Sequence, residues 1–340
     1  MITSTEFISL VHAAIPRFQR YPLNRQQVEC ILAEPTMPLM IVAGPGSGKT
    51  TVLVLRTLRL VFLDGLMPEN VVITTFTRKA ADEIRSRLIE WALDIMEYLI
   101  QSPPNPTAPD FARRLESIDI NRFVTGTLDS ICEDTLNVHR DPGDRPPVLV
   151  EGFVGNALLA REGMFPSGAL DNPELYVYLA QFTRDGQAPR NFGEAVQVCR
   201  ALVDRLIQDR VDITAFGAGT THTSARRCIA SILQSYKAYM AQTNRMDFAG
   251  LEEVFLDRLS QGRLQRFTSV IRAILVDEYQ DTNPLQETVY FELARQTQAS
   301  FSVVGDDDQS LYRFRGATVE LFCHFQLAST QQSLVCPLLV

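Results

Sequence analysis

The stretch "LMIVAGPGSGKTT" (39–51) constrains this chain more than any other part of it. An apolar run leads into Gly44, Pro45, Gly46, Ser47 and Gly48, and Lys49, Thr50 and Thr51 then open a helix-periodic segment. Glycines let the backbone curl until successive N–H groups point at one anion, and a following helix N-terminus adds its dipole there. Lys49 is placed to reach β- and γ-phosphates, and the Thr50 hydroxyl to ligate Mg²⁺. The strict pattern opens with glycine, and Ala43 stands in that position. Taken alone, the stretch also reads as an ordinary strand–turn–helix connection.

A second stretch, "ILVDEYQDT" (274–282), sharpens the choice. A buried apolar run ends in Asp277, Glu278 and, soon after, Asp281. Like charges at close quarters repel, and desolvating them is costly, so such a cluster needs a positive partner. With a phosphate loop elsewhere in the chain, Mg²⁺ and Lys49 supply one. Asp277, at the strand end, is placed to hold the metal, and Glu278 to orient and deprotonate an attacking water. The competing reading is a solvated acidic turn.

Five apolar, β-rich runs read as strands covered on both faces: Leu39–Ala43, Val71–Phe76, Arg122–Thr127, Ala273–Val276 and Phe301–Val304. Helical patterns follow several of them, as at Lys49–Phe62 and Arg78–Leu99. Repeated strand, loop and helix argues for a parallel, doubly wound α/β sheet. The alternation breaks between about residues 135 and 244, where Glu151–Arg161, Phe192–Ile207 and Ala225–Gln242 read as amphipathic helices and "PVLV" as one short strand. The expected organisation is therefore a discontinuous α/β domain, residues 1–134 and 245–340, with an inserted helical domain at 135–244.

Net charge is −8, which argues against a protein that coats nucleic acid everywhere but leaves room for a local basic track. Only Lys49, Lys79 and Lys237 are lysines among the 32 basic residues, so a position that keeps Lys favours a compact ammonium. The six cysteines show no CxxC spacing, which points to reduced thiols in the cytoplasm rather than a zinc site. No apolar run approaches the roughly 18 residues that span a bilayer.

Several ordered motifs resemble those of superfamily 1 helicases of the UvrD/Rep/PcrA type, over about residues 20–325. "LNRQQ" (23–27) resembles the adenine-reading motif, with Gln27 in the glutamine position. "AGPGSGKT" is similar to the family's phosphate loop, which commonly begins with Ala. "TTFTRKAADEIRSRL" (74–88) and "GTLDSIC" (126–132) resemble motifs Ia and Ib, "VDEYQDTNPLQ" (276–286) motif II, and "VVGDDDQSLYRFRGA" (303–317) motif III. "RMDFAGL" (245–251) resembles the segment where the chain re-enters the motor domain.

The resemblance implies a RecA-like P-loop NTPase fold, with ATP and Mg²⁺ as cofactors and single-stranded DNA as partner. It implies that Gln309 senses the γ-phosphate and that Arg56 lies near the nucleotide. It also implies that Phe76, Thr77, Arg78, Thr127, Tyr312, Phe314 and Arg315 contact DNA, with Tyr312 and Phe314 stacking on bases. Core packing for those two aromatics and a solvated fate for the arginines are the plainer readings. Many relatives carry Trp where Phe314 stands. Leu128 and Asp129 replace the family's usual Phe-His, so an anion stands where an imidazole would face DNA. After Phe325 the family's Asn-Tyr-Arg-Ser motif does not follow. The expectation is thus one half of a helicase motor, weakly active unless a second, separately encoded or missing motor domain joins it. A non-catalytic ATP-binding module that docks on a partner protein is the alternative.

Overall fold

The computed structural model describes residues 3–102, 109–140, 143, 145–306 and 334–338. The strands are β1 (Leu39–Ala43), β2 (Val71–Thr74), β3 (Val124–Gly126), β4 (Val148–Leu149), β5 (Arg245–Met246), β6 (Ala273–Val276), β7 (Ser300–Gly305) and β8 (Leu334–Leu338). Six of them form one sheet in the order β3-β2-β6-β7-β1-β8, while β4 and β5 form a separate ladder. All described pairings are parallel.

The longer helices are α1 (Ser4–Ala14), α2 (Arg25–Leu32), α3 (Lys49–Phe62), α4 (Arg78–Gln101), α5 (Leu128–Val138), α6 (Phe192–Gln208), α7 (Thr223–Gln242), α8 (Phe248–Ser260) and α9 (Pro284–Thr297). Strand side chains alternate between two faces. Leu39, Ile41, Val71, Ile73, Ala273 and Leu275 pack with α1, α2, α3 and α4 in one core. Met40, Val72, Ile274, Val276 and Val303 pack with α5, α8 and α9 in the other, which runs on into α6 and α7. Burial on both faces is why these strands read as unbroken apolar runs.

The apolar runs at 39–43 and 273–276 are strands over their full expected length. Two others are shorter. The run at 71–76 leaves the sheet after Thr74, since Thr77 caps α4 by accepting from Ala80 N–H. The run at 122–127 begins with a 3₁₀ turn at Ile120–Arg122, and Thr127 caps α5 by accepting from Ser130 N–H. Strand β8 was not among the expected runs, and it contains Pro337. It pairs with β1 at the sheet edge, where a missing N–H is tolerated.

Between β4 and β5 the described chain is helical. The pattern at 151–161 begins as a helix at Gly152 and passes into a π-helical turn at Leu159–Met164. Gly163 explains the close approach there, since a Cβ on it would lie 3.0 Å from Ile232 Cγ2 on α7. A polar knot ties α6 and α7 to the start of α8. Arg200 on α6 donates to Asp247 at 2.8 Å, to Asp204 at 2.9 Å and to the Tyr236 hydroxyl at 2.7 Å. Asp247 also caps α8 by accepting from Gly250 N–H at 2.8 Å. The four described cysteines, Cys30, Cys132, Cys199 and Cys228, are free and buried, and burial pushes the Cys199 thiol up to about 12.

Candidate functional site

The glycine loop occupies the C-terminal end of β1, next to β7 and one strand from β6. Gly46 and Gly48 take φ of 76° and 88°, the left-handed region that glycine enters at no steric cost. Ser47 closes the turn through Oγ, which donates to the Gly44 carbonyl at 2.7 Å. Helix α3 then starts with no side-chain cap and no acid in its first turn. Its first residue is instead Lys49, a cation at the positive end of a helix dipole. Open N–H groups and a lysine together suit an anion.

Lys49 lies between two carboxylates. Its Nζ is 3.8 Å from Glu278 Oε2, beyond β6, and 3.8 Å from Asp306 Oδ2, beyond β7. Gln280 joins the two: its Nε2 donates to Glu278 Oε2 at 2.6 Å, and its Oε1 accepts from Asp306 N–H at 3.0 Å. Neither Gln280 nor Asp306 was singled out in the sequence. The available signal was that "GDDDQS" places its first carboxylate directly after a strand. Glu278 itself has φ 52° and ψ 45°, a left-handed conformation uncommon for a non-glycine residue. Such strain persists only where the surroundings over-determine it, and it concentrates at functional sites.

The acid motif is not a solvated turn. Asp277 is 5% exposed and Asp281 6%. Burial, followed by the neighbouring Glu278 charge, raises the Asp277 carboxyl to about 7. Its Oδ1 is buried without a hydrogen-bond partner among the described residues. That is the condition of a carboxylate oxygen suited to a cation.

Gln27 reaches the loop from outside. Its Nε2 donates to the Ser47 carbonyl at 3.1 Å, while its Oε1 accepts from Asn24 N–H at 3.1 Å in a capping box. A Cβ on Gly48 would lie 2.9 Å from that Nε2, the movable end of the Gln27 side chain, so it is the φ of 88° that calls for glycine there. Arg56 lies further along α3. It is fully buried, and its guanidinium donates to the carbonyls of Cys30 at 3.1 Å and Ala33 at 2.8 Å, and to Ser302 Oγ at 3.0 Å. It satisfies the orphan carbonyls at the end of α2 and ties that helix to β7, a scaffold role behind Gln27. Thr51 is likewise buried, in the first turn of α3.

Phe76, Thr77, Arg78 and Thr127 come together at the ends of β2 and β3, along a cavity of about 660 Å³. The same cavity is lined by Asp277 and Glu278 at the end of β6 and by Arg200 and Asp204 from α6. The threonine hydroxyls of Thr77 and Thr127 serve as helix caps, while Arg78 is exposed. Gln309, Tyr312, Phe314 and Arg315 lie outside the described residues.

A glycine loop closing a parallel strand, with a lysine facing acids at the ends of neighbouring strands, defines a P-loop NTPase of the RecA-like kind. The chain belongs to the UvrD/REP helicase family, since residues 23–329 match its N-terminal domain. It is 27% identical over 312 residues to the ATP-dependent DNA helicase SRS2 of Saccharomyces cerevisiae, covering 88% of this chain and 24% of that protein. It is 31% identical over 307 residues to a probable DNA helicase of Mycoplasma pneumoniae, covering 88% of this chain and 49% of the other. Against the ATP-dependent DNA helicase UvrD1 of Mycobacterium tuberculosis the identity is 29% over 313 residues, covering 87% and 34%. The chain thus spans from about a quarter to about half the length of these relatives. No helix among the described residues is long and apolar enough to cross a membrane.

Proposed function

We propose that these residues form the ATP- and Mg²⁺-binding motor unit of a UvrD-like DNA helicase, with single-stranded DNA contacted through the ends of β2 and β3. The observation that carries this reading is Lys49 at an uncapped helix N-terminus, 3.8 Å from both Glu278 and Asp306. A triphosphate in the glycine loop draws the ammonium onto its β- and γ-oxygens and releases the two carboxylates. Glu278 then accepts a proton from the attacking water, while Gln280 holds its Oε2 in place.

Asp277 and Thr50 hold Mg²⁺ in this reading, and the orphaned, buried Oδ1 of Asp277 fits that task. Among the described residues no three Asp, Glu, His or Cys side chains converge as a cage. This ion commonly relies on one or two carboxylates plus substrate phosphates. When bound, it neutralises charge on the phosphates. The discontinuous domain at 1–134 and 245–340 carries all of these groups. The segment 135–244 is proposed as a helical domain inserted into it and fastened through Arg200.

A polypeptide of these 340 residues is expected to bind Mg-ATP, turn it over slowly and not separate strands. Support comes from relatives two to four times longer than the matched region. In phosphoryl transfer generally, an added arginine from an opposing surface is worth roughly 10³–10⁵ in rate. Steady-state ATPase with and without oligonucleotide, beside a fork-unwinding assay, tests this. Fast DNA-stimulated turnover or unwinding by the 340 residues alone overturns it. DNA affinity should fall as salt rises, because phosphate contacts dominate. Binding that is indifferent to salt counts against Arg78 as a contact.

Glu278→Gln should leave Mg-ATP binding within about twofold and lower residual hydrolysis by roughly 10²–10⁴-fold, since the amide keeps the shape and loses the base. Calorimetric titration and single-turnover hydrolysis give the two halves of the answer. Turnover at the wild-type rate removes Glu278 from the role.

A further inference from the structure

Two guanidinium groups meet on one phenol at the surface of the helical segment. Tyr239, near the end of α7, accepts through its hydroxyl from Arg245 Nη1 at 2.6 Å and from Arg161 Nη2 at 3.1 Å. Both guanidiniums also lie over its ring, with Cζ 5.7 Å (Arg245) and 5.8 Å (Arg161) from the centroid. Three parts of the chain supply the cluster: Arg245 from β5, Tyr239 from α7, and Arg161 from the π-helical turn at Leu159–Met164.

Like charges this close repel, and a neutral phenol offsets only part of that. Arg161 has a carboxylate partner in Glu162, the next residue. Arg245 forms no ion pair among the described residues. Helix α7 carries no Asp or Glu from Thr223 to Gln242, and Glu253 of α8 is taken by Lys237 at 2.6 Å. Tyr239 thus orients two planar forks, one of them without a counter-charge. Each guanidinium has five N–H donors, so several remain for a ligand. A phosphate, with acceptor oxygens spaced for such forks, completes the arrangement.

The position favours a nucleic-acid phosphate. The β4–β5 ladder, in which Arg245 pairs with the exposed Val148, leads into the cavity described above. Glu151 follows β4 and Phe248 follows β5, and both line that cavity. At about 3.3 Å per extended residue, Arg245 stands within roughly 10 Å of Phe248. Phe153 opens the helix Gly152–Leu158 that leads to Arg161, and it is 86% exposed. Aromatic faces beside cationic groups are what a single strand binds, bases on the first and backbone on the second.

We propose that Arg161 and Arg245, oriented by Tyr239, grip a backbone phosphate of the single strand where it leaves the cavity. This adds a DNA contact on the helical segment to those at the ends of β2 and β3, and it rests on the DNA-binding reading given above. A phosphate contact positions the strand and carries no sequence information. Its signature is the salt dependence of binding, because each phosphate neutralised releases condensed counterions.

The test uses the full chain with labelled oligo-dT and a mixed-sequence single strand of equal length, titrated across a salt series. Wild type is compared with the double variant Arg161→Gln, Arg245→Gln. Arg190→Gln is the control for net charge, since Arg190 is an exposed arginine of the same segment already paired with Glu194. The double variant should lose about one unit of the slope of log affinity against log salt. At low salt it should bind on the order of tenfold more weakly, by the same factor for both strands. Arg190→Gln should change neither quantity. Affinity for a non-hydrolysable ATP analogue with Mg²⁺, measured without DNA, should be equal in wild type and double variant. An unchanged slope in the double variant, a loss confined to one sequence, or an equal loss in Arg190→Gln overturns the inference. A fall in analogue affinity in the double variant puts a nucleotide phosphate between the arginines and overturns it as well. If the double variant does not fold, Arg161→Gln decides through a smaller slope change, since that side chain is 62% exposed. Wild type that binds DNA no better than the folded double variant removes this inference alone. Wild type that binds no DNA removes the DNA-binding reading and this inference with it.

Discussion

Lys49→Ala should reduce Mg-ATP affinity by at least two orders of magnitude while leaving the fold intact. The side chain is only 11% exposed and faces Glu278 and Asp306 at 3.8 Å each. Charge-assisted hydrogen bonds to phosphate are about twice as strong as neutral ones, and each tenfold in affinity corresponds to about 1.4 kcal/mol. A second effect works in the same direction. Without the ammonium, Glu278 and Asp306 remain beside the loop with no cation between them, and their field opposes a triphosphate. Calorimetric titration of both proteins, with circular dichroism as the check on folding, settles it. Equal affinities would remove Lys49 from the site. Lys49→Arg is a useful companion, because a planar fork does not reproduce a compact ammonium in an enclosed loop.

Arg56→Met should cost roughly 3 kcal/mol of stability. Its guanidinium is fully buried and donates to Cys30 and Ala33 carbonyls and to Ser302. A hydrogen bond from a charged donor is worth about 1.5–3 kcal/mol, and a buried acceptor left unpaired costs about 1–3 kcal/mol. Methionine fills much of the space but donates nothing. Chemical denaturation should show a lower midpoint. Nucleotide affinity, measured well below the unfolding transition, should change far less than for Lys49→Ala. An affinity loss as large as that of Lys49→Ala, at unchanged stability, would instead put Arg56 at the nucleotide.

The sequence made some of this architecture plain and hid the rest for physical reasons. Strands β1 and β6 are covered on both faces, so they appear as uninterrupted apolar runs with clear ends. The glycine loop was equally legible, because only a few residue types suit its backbone. Strand β8 was not, since an edge position tolerates the proline that elsewhere rules a strand out. The family resemblance alone placed Arg56 near the nucleotide. The groups its guanidinium donates to, on α2, at Ala33 and on β7, lie far off in the chain. Asp129 read as an anion misplaced on a DNA-facing surface. Glu252 and Gln286, which line the same cavity, stand on other helices, and no local pattern links them to it. Nor does any residue pattern announce that Glu278 adopts a left-handed backbone.

The strand order carries a cost during synthesis. Leu39 of β1 pairs with Ser302 of β7, and Val71 of β2 with Ala273 of β6. Strand β1 therefore waits for both of its neighbours, β7 and β8, while β2 gains β3 early but waits for β6 on its other edge. At the usual ~5–20 residues per second, the wait is on the order of tens of seconds. Throughout it, the apolar faces and open edges of β1 and β2 are available to other nascent chains. Parallel, non-local pairing is also slow to form once the partners arrive. Expression at reduced temperature, or with added chaperones that shield strand edges, should raise the soluble yield of this protein more than any change to its surface.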